Sequence, residues 1–294
     1  MDNELVLYDR INAIKDTVNR YGMDNFYLSF SGGKDSTVLH YLLDIALPGN
    51  DIPRLFMNTG MEYLALVKYV KELAAADQRI IVYNSGVNIK DMLNTYGWPF
   101  KSKEHSTKLH SYQLGLKTGV QKKSTILYMT PDGGTFNCPK KLLYQFTEEF
   151  KLPISGYCCN RLKKDTAKRY IKNSGRKIVI TGMQRQEGGQ RSHMGCTVFK
   201  SGKLVKFHPL SKVSDEWENW FIDKYNIRLC ELYYEPYNFE RTGCKGCPFA
   251  LKLQEQLDKM EELLPNEARQ CEIIWKPVYE EYRRIGYKLR RKEK

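Results

Sequence analysis

Asn25-Phe26-Tyr27-Leu28-Ser29-Phe30-Ser31-Gly32-Gly33-Lys34-Asp35-Ser36-Thr37-Val38-Leu39-His40-Tyr41-Leu42-Leu43 joins an apolar, β-type run to a helical pattern through two glycines. A strand, a glycine turn and a helix start make a phosphate cradle. Glycine lets the backbone approach an anion closely, and the first amides and dipole of a helix favour negative charge. In this loop Lys34 adds a cation, Asp35 is placed to hold Mg²⁺, and Ser36 can cap the helix or donate to a phosphate. The spacing excludes a Walker loop, which reads Gly-x-x-x-x-Gly-Lys-Ser/Thr. An ordinary glycine turn capped by Ser36 is the plainer alternative, but it leaves Lys34 and its register with strand and helix unexplained.

Outward from this loop, Leu5, Leu7, Ile11, Ile14 and Val18 have the spacing of a helix over 4–21. Strands over 25–30, 53–58, 79–84 and 177–181 alternate with helices over 36–46, 62–76 and 159–174. That pattern predicts an α/β fold, a Rossmann-like parallel sheet with helices on both faces. Such sheets bind ligands beyond the carboxyl ends of their strands. Arg185, Glu187 and Arg191 follow the strand at 177–181 and so fall on a ligand-facing loop. Residues 97–157, with scattered Pro, Gly and Lys, read as an irregular insertion covering the site. The runs 197–200 and 204–207 flank Ser201-Gly202-Lys203 as a hairpin. Residues 214–225 read as a helix, and 251–289 as two helices broken near Pro265. The expected division is a nucleotide-binding domain over 1–250 and a helical extension over 251–294.

A chain of 294 residues with 41% hydrophobic side chains can bury a core without disulfides. Met1-Asp2-Asn3-Glu4 lacks the basic and apolar regions of a signal peptide, and no apolar run reaches the ~18 residues of a membrane span. The expectation is a cytoplasmic protein with no membrane partner. In that compartment eight cysteines point to metal or redox chemistry rather than disulfides. The net charge of +13 calls for anionic partners, nucleotides first and nucleic acid second. Arg161, Lys163, Lys164, Lys168, Arg169, Lys172, Arg176 and Lys177 crowd one stretch against a single acid, Asp165. The basic tail Lys288–Lys294 reads as a frayed terminus.

Cys244-Lys245-Gly246-Cys247 is a metal half-site, its glycine allowing the tight turn that aims two sulfurs at one centre. The adjacent Cys158-Cys159 converges poorly on one small ion but could reach two irons of a larger cluster. An iron–sulfur cluster, zinc, a vicinal disulfide and plain buried thiols all stay open at this point. Lys163 and Lys164 beside the pair would offset thiolate charge and help hold an anionic substrate.

Taken in order, Ser31–Ser36, Asn58-Thr59-Gly60-Met61-Glu62, Cys158-Cys159, Thr181-Gly182-Met183-Gln184-Arg185-Gln186-Glu187 and Arg241-Thr242-Gly243-Cys244-Lys245-Gly246-Cys247-Pro248-Phe249 resemble the phosphoadenosine-phosphosulfate reductase family. That family lies within the adenine nucleotide α-hydrolase-like superfamily, and the resemblance covers roughly residues 20–250. It implies an adenine nucleotide (ATP, or adenylylsulfate or its 3′-phosphorylated form) at Ser29, Ser31, Gly32, Gly33, Lys34, Asp35, Ser36, Asn58, Gly60, Lys163, Gly182, Arg185, Glu187 and Arg191. It also implies a [4Fe–4S] cluster on Cys158, Cys159, Cys244 and Cys247, as in cluster-bearing adenylylsulfate reductases. His208-Pro209-Leu210 followed by Trp217 looks like the family's segment before its later helices. Related genes also occur in phages and prophages, which allows a viral origin.

Two departures separate this chain from the reductases. The loop is a complete Ser-Gly-Gly-Lys-Asp-Ser, similar to relatives that split ATP between its α and β phosphates. The reductases' Glu-Cys-Gly-Leu-His motif is missing, the tail reading Gln270-Cys271-Glu272-Ile273-Ile274-Trp275. Gln184 also stands where relatives often carry arginine. What remains resembles cluster-bearing ATP pyrophosphatases of sulfur transfer, including those of DNA phosphorothioation. The expected activity is adenylylation of an acceptor by Mg·ATP with release of pyrophosphate, carried by Lys34, Asp35 and Arg185. DNA or a sulfur-donor protein is an expected partner, and a homo-oligomer the expected state. Reduction of adenylylsulfate is the alternative, needing Cys271, Cys138 or Cys196 as the attacking thiol; Cys230 has no assigned role. A nucleotide- and DNA-binding module without chemistry is the third.

Overall fold

The computed structural model describes residues 2–130, 137–185 and 195–291. They form two compact units, Met1–Ser85 with Thr166–Gly243 and Gly86–Asp165 with Cys244–Lys294. Neither is one continuous stretch of chain.

The first unit is built on a six-stranded sheet in the order β3-β2-β1-β4-β6-β5. Its strands are β1 (Phe26–Phe30), β2 (Arg54–Asn58), β3 (Ile80–Asn84), β4 (Ile178–Ile180), β5 (Thr197–Lys200) and β6 (Lys203–Phe207). All pairs are parallel except β5 with β6, a hairpin whose turn residues Ser201 and Gly202 both take positive φ. Positive φ at both positions is what a two-residue turn matching the strand twist demands. β1 lies at the centre and is buried on both faces, with Tyr27 packed against Leu55 and Tyr170. That is why its sequence is a continuous apolar run rather than an alternation. The chain leaves β1 toward β2 on one side and returns as β4 on the other. The loops after β1 and β4 therefore meet where the strand order reverses, the usual ligand crevice of such sheets.

Helices α1 (Asn3–Tyr21), α2 (Lys34–Ala46), α3 (Leu64–Ala76), α8 (Asp165–Ser174) and α9 (Asp215–Lys224) accompany this sheet. α1 buries Leu7, Ile14 and Val18 along one stripe, and the Asp2 carboxylate caps it by accepting the Glu4 amide at 2.9 Å. Arg54 opens β2 fully buried. Its guanidinium is satisfied by Asp44 at 2.7 Å, Asn50 at 2.8 Å and His40 Nδ1 at 3.2 Å.

The second unit is helical: α4 (Ile89–Tyr96), α5 (Lys103–Thr118), α6 (Lys123–Met129), α7 (Tyr157–Cys159), α10 (Leu253–Leu263), α11 (Pro265–Ile274) and α12 (Lys276–Ile285). Between α7 and α8 the chain is wound as a π-helix over Asn160–Lys164.

Three expectations need correction. Residues 97–157, read as irregular, carry α5 and α6, whose polar and lysine-rich surfaces hide a helical pattern anchored on few buried residues, Leu109 and His105 among them. The C-terminal stretch holds three helices, because a second break falls at Trp275, just before Pro277. The helix after the glycine loop starts at Lys34, so Ser36 lies inside it and cannot be its N-cap.

Candidate functional site

In the sheet unit the loop Ser31–Ser36 closes on its own side chains. Ser36 Oγ donates to the Gly33 carbonyl (2.9 Å) and accepts the Ser31 amide (3.1 Å) and the Ser31 hydroxyl (3.0 Å). The Gly33 amide donates to Ser31 Oγ at 3.3 Å. The Lys34 amide donates to the Tyr233 hydroxyl at 3.0 Å, which is itself 2.8 Å from Thr242 Oγ1. The sequence predicts open amides here, yet hydroxyls already engage those of Ser31, Gly33 and Lys34. An anion accepting from the Lys34 amide would have to displace the Tyr233 hydroxyl. Gly32 has φ +72°, and a Cβ there would lie 2.6 Å from Val70 Cγ2.

Gly182, just beyond β4, has no room for a side chain: a Cβ would lie 2.8 Å from the Asp35 carbonyl oxygen. Its role here is close approach of two loops. Thr181 beside it hydrogen-bonds His208 Nδ1 at 2.6 Å, and the Arg185 amide donates to the Ser211 carbonyl at 3.1 Å. At the end of β2, Asn58 donates to Asn84 at 3.0 Å and accepts the Gly60 amide at 3.2 Å, while Glu62 is held by Thr59. Gly60, with φ +79°, faces open space. Ser29 lies within β1, one residue short of the loop. Glu187 and Arg191 fall outside the described residues.

The charged centre contains a residue the sequence reading missed. Glu218 on α9 is fully buried, with its Oε2 3.7 Å from Lys34 Nζ. Burial and then the neighbouring Asp35 carboxylate push its carboxyl up to about 8. Asp35 is raised by burial, against the pull of Lys34 and Arg241. The signal was present: Glu218 stands three residues before Phe221 and beside Trp217, on the apolar face of α9. Tyr233 and Thr242 carried no comparable signal.

The second unit holds all four cysteines expected to bind metal. Cys158 and Cys159 place their sulfurs 4.0 Å apart. Cys158 is raised by its hydrogen bond to Cys159, by burial and by the nearby sulfurs of Cys159, Cys247 and Cys244. Cys159 is lowered to about 6, first by that hydrogen bond, with Lys163, Lys103 and Lys164 adding to it. Lys163 thus groups with the cysteines. Desolvation and Cys244 push Cys247 up to about 12. The four thiols share one neighbourhood, and four cysteine sulfurs are a donor set that could hold a metal centre. Among the described residues no three cysteine sulfurs lie within 4.8 Å of one another.

The C-terminal helices grip the Cys-x-x-Cys loop. Lys245 points away into Glu267 (3.1 Å) and Gln270 (3.0 Å). Trp275 Nε1 donates to the Lys245 carbonyl (3.4 Å), the Tyr279 hydroxyl to that of Gly246, and the Tyr282 hydroxyl to that of Pro248 (2.9 Å). Lys288 donates to the carbonyls of Lys101, Pro248 and Ala250 at 2.8–2.9 Å. Gly246 has φ +57°, and a Cβ there would lie 2.6 Å from the Tyr279 hydroxyl and 2.7 Å from Cys271 Sγ. Cys271 is therefore packing for this loop, fully buried and pushed up to about 12 by desolvation. Cys138 is also buried, raised to about 11. Neither has the exposed, low-pKa setting of an attacking thiol. Cys230 is fully buried and raised; Cys196 is half-buried.

His40, Asp44 and Asp77 in the sheet unit converge closely enough for a metal. Arg54 and Arg79 already occupy the Asp44 carboxylate at 2.7 and 2.8 Å, so the group is an ion-pair network. Part of the basic stretch at 161–177 is likewise spent internally. Arg161 pairs with Asp165 at 3.1 Å, Arg169 donates to the Ser85 carbonyl, and Arg176 donates to Met23 and Phe26 at 3.2 and 3.1 Å. No described helix is long and apolar enough to cross a membrane.

A parallel sheet with a Ser-Gly-Gly-Lys-Asp-Ser loop at its strand-order reversal defines a nucleotide-binding domain. The phosphoadenosine phosphosulfate reductase domain profile matches residues 25–126 and 136–250, and the chain belongs to that family. An uncharacterised protein of Methanocaldococcus jannaschii is 24% identical over 242 residues, 81% of this chain and 44% of that protein. The chain thus spans under half the length of this relative. Among solved structures it is similar to a phosphoadenylyl-sulfate reductase of Candida auris (16% identity, TM-score 0.45, 83% of this chain and 96% of that one). It is also similar to the U34-tRNA thiolase of Methanococcus maripaludis with its [4Fe–4S] cluster (15%, TM-score 0.40, 95% and 80%). A phage origin finds no support in these relatives.

Proposed function

We propose that this protein splits Mg·ATP to adenylylate an acceptor and supports sulfur transfer. The observation that carries this reading is the complete loop, with Lys34 and Asp35 both present and Gly182 packed against Asp35 at the loop's back. Reductases of the family have no pyrophosphate to hold; this loop is equipped for one. An acceptor oxygen attacks the α-phosphorus, the bond from that phosphorus to the α,β-bridging oxygen breaks, and the electron pair leaves with pyrophosphate. The loop amides and Lys34 stabilise the charge that builds on the leaving group, and preorganised donors of this kind usually supply the largest catalytic share. Asp35 orients the metal of Mg·ATP. Arg185, on the loop that follows β4, is the third residue assigned to the reaction.

Cys158, Cys159, Cys244 and Cys247 hold a [4Fe–4S] cluster in this reading. Thiolate-bound iron supplies electron transfer or sulfur handling when present. The chain's own contribution is the rigid Cys-x-x-Cys loop and the lysines around Cys159, which offset negative charge. Buried Cys271 and Cys138 weigh against sulfonucleotide reduction. The test offers anaerobically purified, iron-quantified protein either Mg·ATP or adenylylsulfate with thioredoxin. Pyrophosphate from ATP supports the reading; sulfite from adenylylsulfate, or no ATP binding in a titration, overturns it.

A further inference from the structure

We propose that Glu218 and Asp35 together hold a divalent cation beside the glycine loop of the sheet unit, before any nucleotide arrives. Glu218 is the anomaly that points there. It is completely buried, and neither carboxylate oxygen has a hydrogen-bond partner. Lys34 Nζ, at 3.7 Å, is too distant to donate. Gln184, 2% exposed, is close enough to interact with it, but its Nε2 makes no hydrogen bond of full geometry. Trp217 and Phe221 of α9 are buried along with it.

A buried carboxylate without a partner is costly, and a second one beside it adds repulsion. Asp35 is that second one, and Asp215 adds to the same field. With all three acids ionised, as a bound cation requires, Lys34 and Arg241 leave the group one positive charge short of neutrality. A divalent cation removes the deficit, satisfies the orphaned oxygens and leaves a net positive site for phosphate. The donors are carboxylate oxygens, which suits Mg²⁺ or Mn²⁺ rather than a thiophilic metal. Mg²⁺ commonly takes one or two carboxylates and completes its shell with water and substrate phosphates. Glu218 is thus a second protein ligand that the loop motif does not contain.

This inference deepens the phosphate-site reading but is tested without nucleotide. The anaerobic, iron-loaded protein is titrated with MnCl₂ in phosphate-free buffer, free Mn²⁺ being followed by electron paramagnetic resonance, for wild type, Glu218→Gln and Asp35→Asn. One Mn²⁺ binds wild type, and each variant weakens binding at least tenfold. Thermal melting separates this from a structural role: without metal Glu218→Gln melts higher than wild type, and it loses the rise in Tm that Mn²⁺ gives wild type. Absence of Mn²⁺ binding by wild type, equal binding by Glu218→Gln, or a Glu218→Gln Tm lowered alike with and without Mn²⁺ overturns the inference. Mn²⁺ binding without ATP splitting would sink only the proposed activity; ATP splitting with Mn²⁺ binding untouched in Glu218→Gln would sink only the cation site.

Discussion

Lys245 Nζ lies 3.1 Å from Glu267 Oε2, and both side chains are buried although Lys245 sits between the two cysteines of the Cys-x-x-Cys loop. A cation at that position would be expected to face the cysteine sulfurs. Instead it anchors the loop to α11. Removing one partner of a buried pair leaves an uncompensated charge, at a cost of about 3–5 kcal/mol. Glu267→Gln should therefore lose stability on that scale in anaerobic denaturant titrations and bind less iron. The double replacement Lys245→Met with Glu267→Leu should recover most of the stability, since apolar substitution of such a pair is often neutral.

Gly246 is equally constrained. Gly246→Ala forces a methyl into the Tyr279 hydroxyl and Cys271 sulfur, in a backbone region that favours glycine. Iron content after anaerobic reconstitution should fall well below wild type. Cys271→Ala, which only removes a packing sulfur, should keep its iron and any turnover. Loss of turnover there without loss of iron would reinstate Cys271 as a reacting thiol.

The strand–turn–helix around the glycine loop was legible because Ser31–Ser36 sits in register with a strand and a helix, and because β1 is apolar throughout. The hairpin was legible in Ser201-Gly202. The hidden features share a cause: the sequence does not display long-range partners. Tyr233 meets the Lys34 amide across 199 residues, and Glu218 looks like one more acid on an acidic helix. Helices α5 and α6 were missed because their exposed faces are polar and their buried anchors few.

Gly182 offers a clean test of loop spacing. A methyl there strikes the Asp35 backbone, which cannot move without shifting the loop. Gly182→Ala should weaken ATP binding at least tenfold by calorimetry. Gly243→Ala, where a methyl meets nothing within 4 Å, should bind as wild type.

Acid should destabilise both units. Burial, then Arg54, lowers His40 to about 4 in the sheet unit; burial lowers His105 to about 4 in the helical unit, where it hydrogen-bonds Tyr128 at 3.0 Å and Gln145 at 2.8 Å. Both histidines are neutral when folded and take up a proton on unfolding. Their stabilisation is complete above the ordinary value of 6.5 and is lost as pH falls from there toward 4. Each contributes about 3 kcal/mol over that window. Melting curves from pH 7 to 4 should show the decline, and His105→Gln should flatten it for the helical unit.

The most direct measurement is pyrophosphate release from Mg·ATP by the anaerobic, iron-loaded protein, with DNA and other acceptors offered in turn, for wild type and Lys34→Ala. Wild type should release pyrophosphate and AMP together, and Lys34→Ala should slow this about 10²- to 10³-fold, the loss typical of one charge-stabilising donor. Sulfite from adenylylsulfate with no pyrophosphate from ATP, or pyrophosphate release untouched in Lys34→Ala, would contradict an ATP-splitting role for the glycine loop.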